Sequence, residues 1–217
     1  LIPEELASEK RILMSLLVDI ITGSIIKRLA SGRNYGVAVI AEGLIEKIKS
    51  EDLEEADCVL YDDHGHIRYA EINFSEVLKR ETLANLSSLG IDMTINHKDV
   101  GYEIRCAPPN AFDIEYTRNL GFAAMEFLRN GGTNAMITIQ NDRIVPVPFR
   151  DIIDPLTGKT RIRMVNTESI QYRIAREYMI RLEKRDFEPG IEFEKLAVAA
   201  KLSPEEFRRR FEYVTWY

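Results

Sequence analysis

The chain is poor in cysteine. Cys58 and Cys106 are the two among 217 residues, too few for a disulfide framework, and a reduced cytoplasmic setting is expected from that usage. A long uninterrupted apolar run is also lacking: the longest apolar region, residues 12–29, carries Asp19, Lys27 and Arg28, which excludes its reading as a membrane span. No signal-peptide pattern is visible. Positive charge is not in excess, since 29 Lys and Arg stand against 35 Asp and Glu. The net charge of -6 argues against a general nucleic-acid binder and leaves room for a local basic patch. Internal repeats and low-complexity tracts are absent. What remains is ordinary for a soluble globular protein, 45% hydrophobic and 29% charged, long enough for one large domain or two small ones with a buried core.

The chain opens on Leu1-Ile-Pro-Glu-Glu-Leu6 without an initiating Met, and Leu1-Ile2 reads as a strand end closed by Pro3, so the domain is expected to begin upstream. Residues 6–29 carry a helical period with Leu13, Leu16, Leu17, Ile20 and Ile21 on one side. After the break at Ser31-Gly-Arg-Asn34, Tyr35-Gly-Val-Ala-Val-Ile40 is a continuous apolar run of the kind buried in a parallel sheet. A short helix from Leu44 follows. Helix, turn, apolar strand and a polar residue at the strand's carboxyl end spell an α/β fold, in which ligands sit beyond the strand ends. Further on, a hairpin or loop is expected around Asp62-Asp-His-Gly-His66, a helix over 75–89 stopped by Gly90, and a strand over 91–95. A strand-like run is expected to end at Tyr102 and Arg105, before a helix over 113–128. The runs 135–139 and 144–147 flank Asn141-Asp142 and predict a second hairpin. Asp154-Pro-Leu-Thr-Gly158 predicts a turn, residues 169–182 a helix, and residues 193–213 a pair of short helices.

Several constellations could carry chemistry. Glu42, two residues beyond the apolar run, can accept hydrogen bonds from sugar hydroxyls or can interact with the backbone donors of a helix start. Tyr102 and Arg105, ahead of Pro108-Pro109, suit a sugar phosphate, because a guanidinium grips two oxygens at once; packing and a surface ion pair are the plain alternative. Asp113 reads as a helix N-cap and Arg118 as a solvated face residue. His64 and His66 with Asp62 and Asp63 invite a metal, though a polar turn is the simpler reading because no further His or Cys cluster completes the site. Cys106 has no placed base and reads as a small packing residue. Residues 196–211 resemble the helix-turn-helix of arabinose-regulator-type factors, with Ser203 capping a basic helix. Arg208, Arg209 and Arg210 could then touch phosphates, or the pair could simply pack.

In order along the chain, three of these segments resemble the phosphofructokinase family, especially its pyrophosphate-dependent members. Leu1-Ile-Pro-Glu4 is similar to the strand end after the family's Met-Gly-Arg motif. Residues 35–45 resemble the strand ending in a Glu-Gly that binds fructose 6-phosphate. Gly101 to Gly121 resembles the segment whose Tyr and Arg hold the sugar 6-phosphate. The resemblance implies an α/β, Rossmann-like sandwich with a helical C-terminal extension: residues 1–153 as the sugar-phosphate-binding portion and 154–217 as the extension. It implies a 6-phosphofructokinase activity that makes fructose 1,6-bisphosphate from fructose 6-phosphate, with pyrophosphate as donor, or ATP in the alternative. A non-catalytic sugar-phosphate-binding subunit is a further alternative. Glu42 would bind sugar hydroxyls, and Tyr102 and Arg105 the phosphate. Lys98 lies near a phosphate-binding Lys of some relatives, with spacing different by one residue. Mg²⁺ would enter with the donor phosphates. A neighbouring subunit would complete the sugar site, implying a homo-oligomer; neither membrane nor nucleic acid is an expected partner. The family's Gly-Gly-Asp-Asp loop, the segment with its catalytic Asp and the Met-Gly-Arg motif are absent from these 217 residues. All three precede Leu1 in family order, so no catalytic residue is expected in this chain.

Overall fold

The computed structural model describes residues 1–56, 58–63, 65, 67–155, 158–161 and 164–217, with the side chains of all of these except Ala70 and Tyr102. The chain forms two compact units, Leu1–Asp99 with Val165–Tyr217, and Val100–Met164. In chain order the helices and strands are α1 (Met14–Ala30), α2 (Ser50–Glu55), α3 (Phe74–Ser88), α4 (Tyr102–Arg105), α5 (Ala111–Arg129), β1 (Ala135–Gln140), β2 (Arg143–Pro148), α6 (Phe149–Ile152), α7 (Ile170–Glu177), α8 (Ile191–Ala199) and α9 (Pro204–Phe211), with short 3₁₀ turns between them.

The first unit is built on α1, against which α3 and α8 pack. Helix α1 starts at Met14 rather than near Leu6, because the chain before it has other partners. Ile12 forms a parallel bridge with Ile48, and the Met14 N–H donates to the Asp52 carboxylate at 2.6 Å. Leu13 is therefore the residue before the helix and stays exposed, while Leu16, Leu17 and Ile20 enter the core as their spacing predicts. Gly23 lies where a Cβ would come within 2.5 Å of the buried Leu182 side chain, so its lack of one admits that leucine. On α3, Asn73 accepts from the Glu76 N–H as N-cap, and Gly90 follows the helix at φ +68°, where glycine is free of Cβ strain.

On the core side of α3, the Thr82 hydroxyl is fully buried and has no hydrogen-bond partner among the described residues. Burying an unmet hydroxyl costs free energy that an apolar group of the same shape does not. Thr82→Val is expected to stabilise the protein by about 1 kcal/mol; urea denaturation measures this, and a destabilised variant would show that the hydroxyl is satisfied after all.

The expected parallel strand at residues 35–40 takes a different form. The segment is extended, but among the described residues no ladder runs along it, and Tyr35, Val37 and Val39 are 71, 93 and 78% exposed. Its backbone meets Arg28, whose side chain donates to the Tyr35 carbonyl, and Leu1, which donates to the Val39 carbonyl at 2.8 Å and accepts from the Ala41 N–H at 2.9 Å, the pair of bonds of a parallel bridge opposite Ile40. A strand is buried on both faces only where neighbours cover it, and among the described residues Leu1 alone pairs with this one. Residues 91–95 show the same incompleteness: Ile91 is buried and Met93 and Ile95 half-buried, alternating with exposed Asp92 and Thr94, yet they join no sheet among the described residues. The mixture of helix and sheet suits an α/β class, but the one sheet among the described residues is two-stranded and antiparallel.

That sheet belongs to the second unit. Strands β1 and β2 pair from Ala135↔Pro148 to Gln140↔Arg143, joined through Asn141 and Asp142 at φ 49° and 59°. Two successive left-handed residues of these types make the tight turn whose twist matches the strands. Helix α5 packs against β1, and Ala123 is its buried residue. Its N-cap is Asn110, not Asp113. The Asn110 side chain accepts from the Asp113 N–H and the Asp113 carboxylate accepts from the Asn110 N–H, both at 3.0 Å, a reciprocal capping box.

Candidate functional site

Glu42 opens the 3₁₀ turn Glu42–Lys47 and is exposed. Its placement is set from both ends of that turn. Ala41, just before it, is bonded to the Leu1 carbonyl. At the far end the Lys47 ammonium donates to the Leu6 and Glu9 carbonyls at 2.7 and 2.8 Å. Gly43 lies beside Pro3, where an added Cβ would make ordinary contact at 3.5 Å. The turn that presents Glu42 is thus laid against the turn Pro3–Leu6. Lys98 is exposed in the same unit, on the extended stretch after Ile95.

Tyr102 and Arg105 belong to the second unit. They do not end a strand: they bound the single helical turn α4, in which the Ile104 and Arg105 N–H groups both donate to the Gly101 carbonyl. With no neighbouring strand among the described residues, these backbone donors are met locally. Arg105 and Cys106 are exposed. The three-residue spacing puts Tyr102 and Arg105 at neighbouring positions of the turn.

Glu5, in the turn Pro3–Leu6, gathers a cluster that no sequence motif marks, its partners Tyr172 and Arg181 lying 167 and 176 residues away along the chain. Arg181 grips the Glu5 carboxylate with both arms, at 2.7 and 3.1 Å. Tyr172 donates its hydroxyl to the same carboxylate, and the Ile2 N–H donates at 2.8 Å. The side chains of Glu5 and Arg181 are only 5 and 12% exposed. Burial pushes the Glu5 carboxyl up, but the hydrogen bonds from Arg181, Tyr172 and Ile2 outweigh it and hold the group below its ordinary value. Burial and the bond to Glu5 push the Tyr172 phenol up to about 12.

Helices α8 and α9 do form a helix–turn–helix, and Ser203 caps α9 in a reciprocal box with Glu206. Its arginines do not present a basic face. Arg208 donates to the Phe187 carbonyl, pairs with Glu212 and lies over the rings of Phe187 and Phe193. Arg210 donates to Asn85 and Ser88 on α3, leaving Arg209 exposed. The phosphate-contacting reading of these helices therefore gives way to packing. His64 and His66 lie outside the described residues. Among the described residues no three His, Cys, Asp or Glu side chains are grouped to hold a metal ion, and no helix is long and apolar enough to cross a membrane.

No family model matches the chain. Individual relatives do. Over 222 residues, 99% of the chain and 51% of the relative, it is 44% identical to the pyrophosphate–fructose 6-phosphate 1-phosphotransferase of Naegleria fowleri. Over 220 residues, 99% of the chain and 52% of the relative, it is 41% identical to the protein of the same name from Thermotoga maritima. Nearly the whole chain is thus similar to about half of two proteins of the phosphofructokinase family. Within it, the likeness is much weaker to the ATP-dependent 6-phosphofructokinase of Amycolatopsis methanolica, 29% identical over 60% of the chain and 29% of that protein. The chain spans about half the length of the two pyrophosphate-named relatives.

Proposed function

We propose that this chain supplies the acceptor-sugar site of a pyrophosphate-dependent phosphotransferase that converts fructose 6-phosphate to fructose 1,6-bisphosphate. The observation that carries this reading is the near-complete match of the chain to two relatives that bear that name. Glu42 accepts hydrogen bonds from sugar hydroxyls, while Arg105, with Tyr102 beside it in sequence, takes the 6-phosphate through paired charge-assisted bonds. Lys98 is a further candidate for a phosphate contact. Orientation of the sugar, not proton transfer, is this chain's share of the reaction, since none of its residues is assigned as a base. The described residues offer no set that fits a divalent cation; Mg²⁺ is proposed to arrive on the donor's oxygens, whose charge it neutralises.

Residues 1–153 serve as the sugar-phosphate portion of a Rossmann-like α/β sandwich, in which residues 35–40 act as a strand, and 154–217 as a helical extension. The protein works as a cytoplasmic homo-oligomer whose neighbouring subunit completes the sugar site. Arg105→Ala is expected to weaken fructose 6-phosphate binding by about 1.5–3 kcal/mol, as for loss of a charge-assisted contact. Calorimetric titration of the product of the complete reading frame measures it; unchanged affinity in a folded variant would remove Arg105 from the site. Turnover with ATP and none with pyrophosphate would move the protein to the ATP-dependent reading.

A further inference from the structure

We infer that Arg181 is a positioning residue for the Glu42 carboxylate, acting through Glu5 and the backbone of Leu1 and Ile2. The inference rests on the reading of Glu42 as a sugar-binding group. A continuous series of bonds within one compact unit leads from one residue to the other. Arg181 and Tyr172 fix the Glu5 carboxylate, and its second oxygen fixes the Ile2 N–H. Leu1, next in the chain, makes both bonds of the parallel bridge that flanks Ile40, and the second of these ends on Ala41, the residue before Glu42. From Arg181 to the Ala41 backbone every link is a hydrogen bond or a peptide unit apart from the Glu5 side chain, which the planar Arg181 fork fixes at two points. The exposed Glu42 side chain leaves the turn just beyond that series.

Other observations favour this direction of action. Leu1 pairs with the segment at Ile40, two residues before Glu42, and so holds the near end of the turn that carries it, as Lys47 holds the far end. The Arg181 segment is itself held: its carbonyl accepts from the Lys27 ammonium at 2.8 Å, and that ammonium also pairs with Asp186 at 2.7 Å. The neighbouring Leu182 fills the space over Gly23 on α1. A rigid anchor on α1 is thereby transmitted to the turn that carries Glu42. A site group held by such supports loses affinity when the support loosens, even though the support never touches the ligand. This gives part of the C-terminal segment a role in the sugar site.

The test is a double-mutant cycle in the product of the complete reading frame, read as the fructose 6-phosphate dissociation constant. Arg181→Lys keeps the charge but loses the fork, and is expected to weaken sugar binding about tenfold. In a Glu42→Gln background the same substitution is expected to add less than about twofold, because it acts only through Glu42. Tyr172→Phe, which withdraws one donor without stranding a charge, is expected to show a smaller loss with the same non-additivity, and it carries the test should Arg181→Lys fail to fold. If Glu42→Gln alone leaves affinity unchanged, the reading of Glu42 fails and the inference falls with it. If Glu42→Gln weakens binding while Arg181→Lys and Tyr172→Phe have no effect, or effects that add in full, the reading stands and Arg181 is no positioning residue.

Discussion

Phe207→Ala is expected to lower the unfolding free energy by about 3–5 kcal/mol, the range for truncating a large buried aromatic. For a chain of this size that corresponds to a fall in Tm of roughly 10 °C. Phe207 is 0% exposed and sits at the centre of an aromatic group. Its ring stacks on Phe187 at 5.4 Å and meets Phe211 at 5.3 Å and Phe193 at 6.1 Å. Arg208 covers the outside of the group, its guanidinium 4.9 Å from the Phe193 centroid. Removing Phe207 leaves a cavity whose walls come from α8, α9 and the Lys184–Phe187 turn, and withdraws the surface on which α9 is seated. Phe207→Leu is expected to recover more than half of the loss, because it refills most of the volume. Arg209→Ala, at an exposed position, is expected within about 0.5 kcal/mol of the parent. Denaturant unfolding of the three variants measures this order. A mild Phe207→Ala would mean that α9 packs loosely, and would return the basic helix to consideration as a ligand-binding surface.

The α8–α9 pair also marks the boundary of what residue patterns disclose. The hairpin at Asn141-Asp142, the stop at Gly90 and the cap at Ser203 were legible because each depends on bonds that close within a few residues. Asn110 was missed as a cap because Asp113 is an equally good capping type; which of the two stands first is decided only by where the chain leaves the Pro108-Pro109 turn. The segment at residues 35–40 carries a strong strand pattern, yet its pairing depends on Leu1, and no local signal encodes that register. Arg208 and Arg210 read as a basic face because sequence shows their charge and not the Phe187 carbonyl and Asn85 amide that absorb them. Glu42, Tyr102 and Arg105 could be singled out since their neighbours in sequence form recognisable runs. Glu5, Tyr172 and Arg181 could not, because their chemistry exists only after distant segments have met.

Arg181→Met is expected to destabilise the protein by about 3–5 kcal/mol at neutral pH, as removing one partner of a buried ion pair leaves the other charge uncompensated. The pH dependence separates that cause from lost packing of the arginine stem. In the parent, the Glu5 carboxyl is held below its ordinary value, so its ionised form contributes stability that is fully present above the unfolded-state value near 4.5 and is lost as pH falls through the folded value. Without Arg181, burial of Glu5 is opposed only by Tyr172 and the Ile2 N–H, and the carboxyl of the folded variant is expected to move upward. A group raised in the folded state contributes most below the unfolded value and loses that contribution as pH rises. The two curves therefore diverge from acid toward neutral pH, and the deficit of the variant is expected to be smaller at pH 4 than at pH 7. Urea unfolding of both proteins at the two pH values measures the difference. An equal deficit at both would assign the loss to packing, and would mean that the Arg181–Glu5 fork holds Leu1 and Ile2 in place by shape and not by charge.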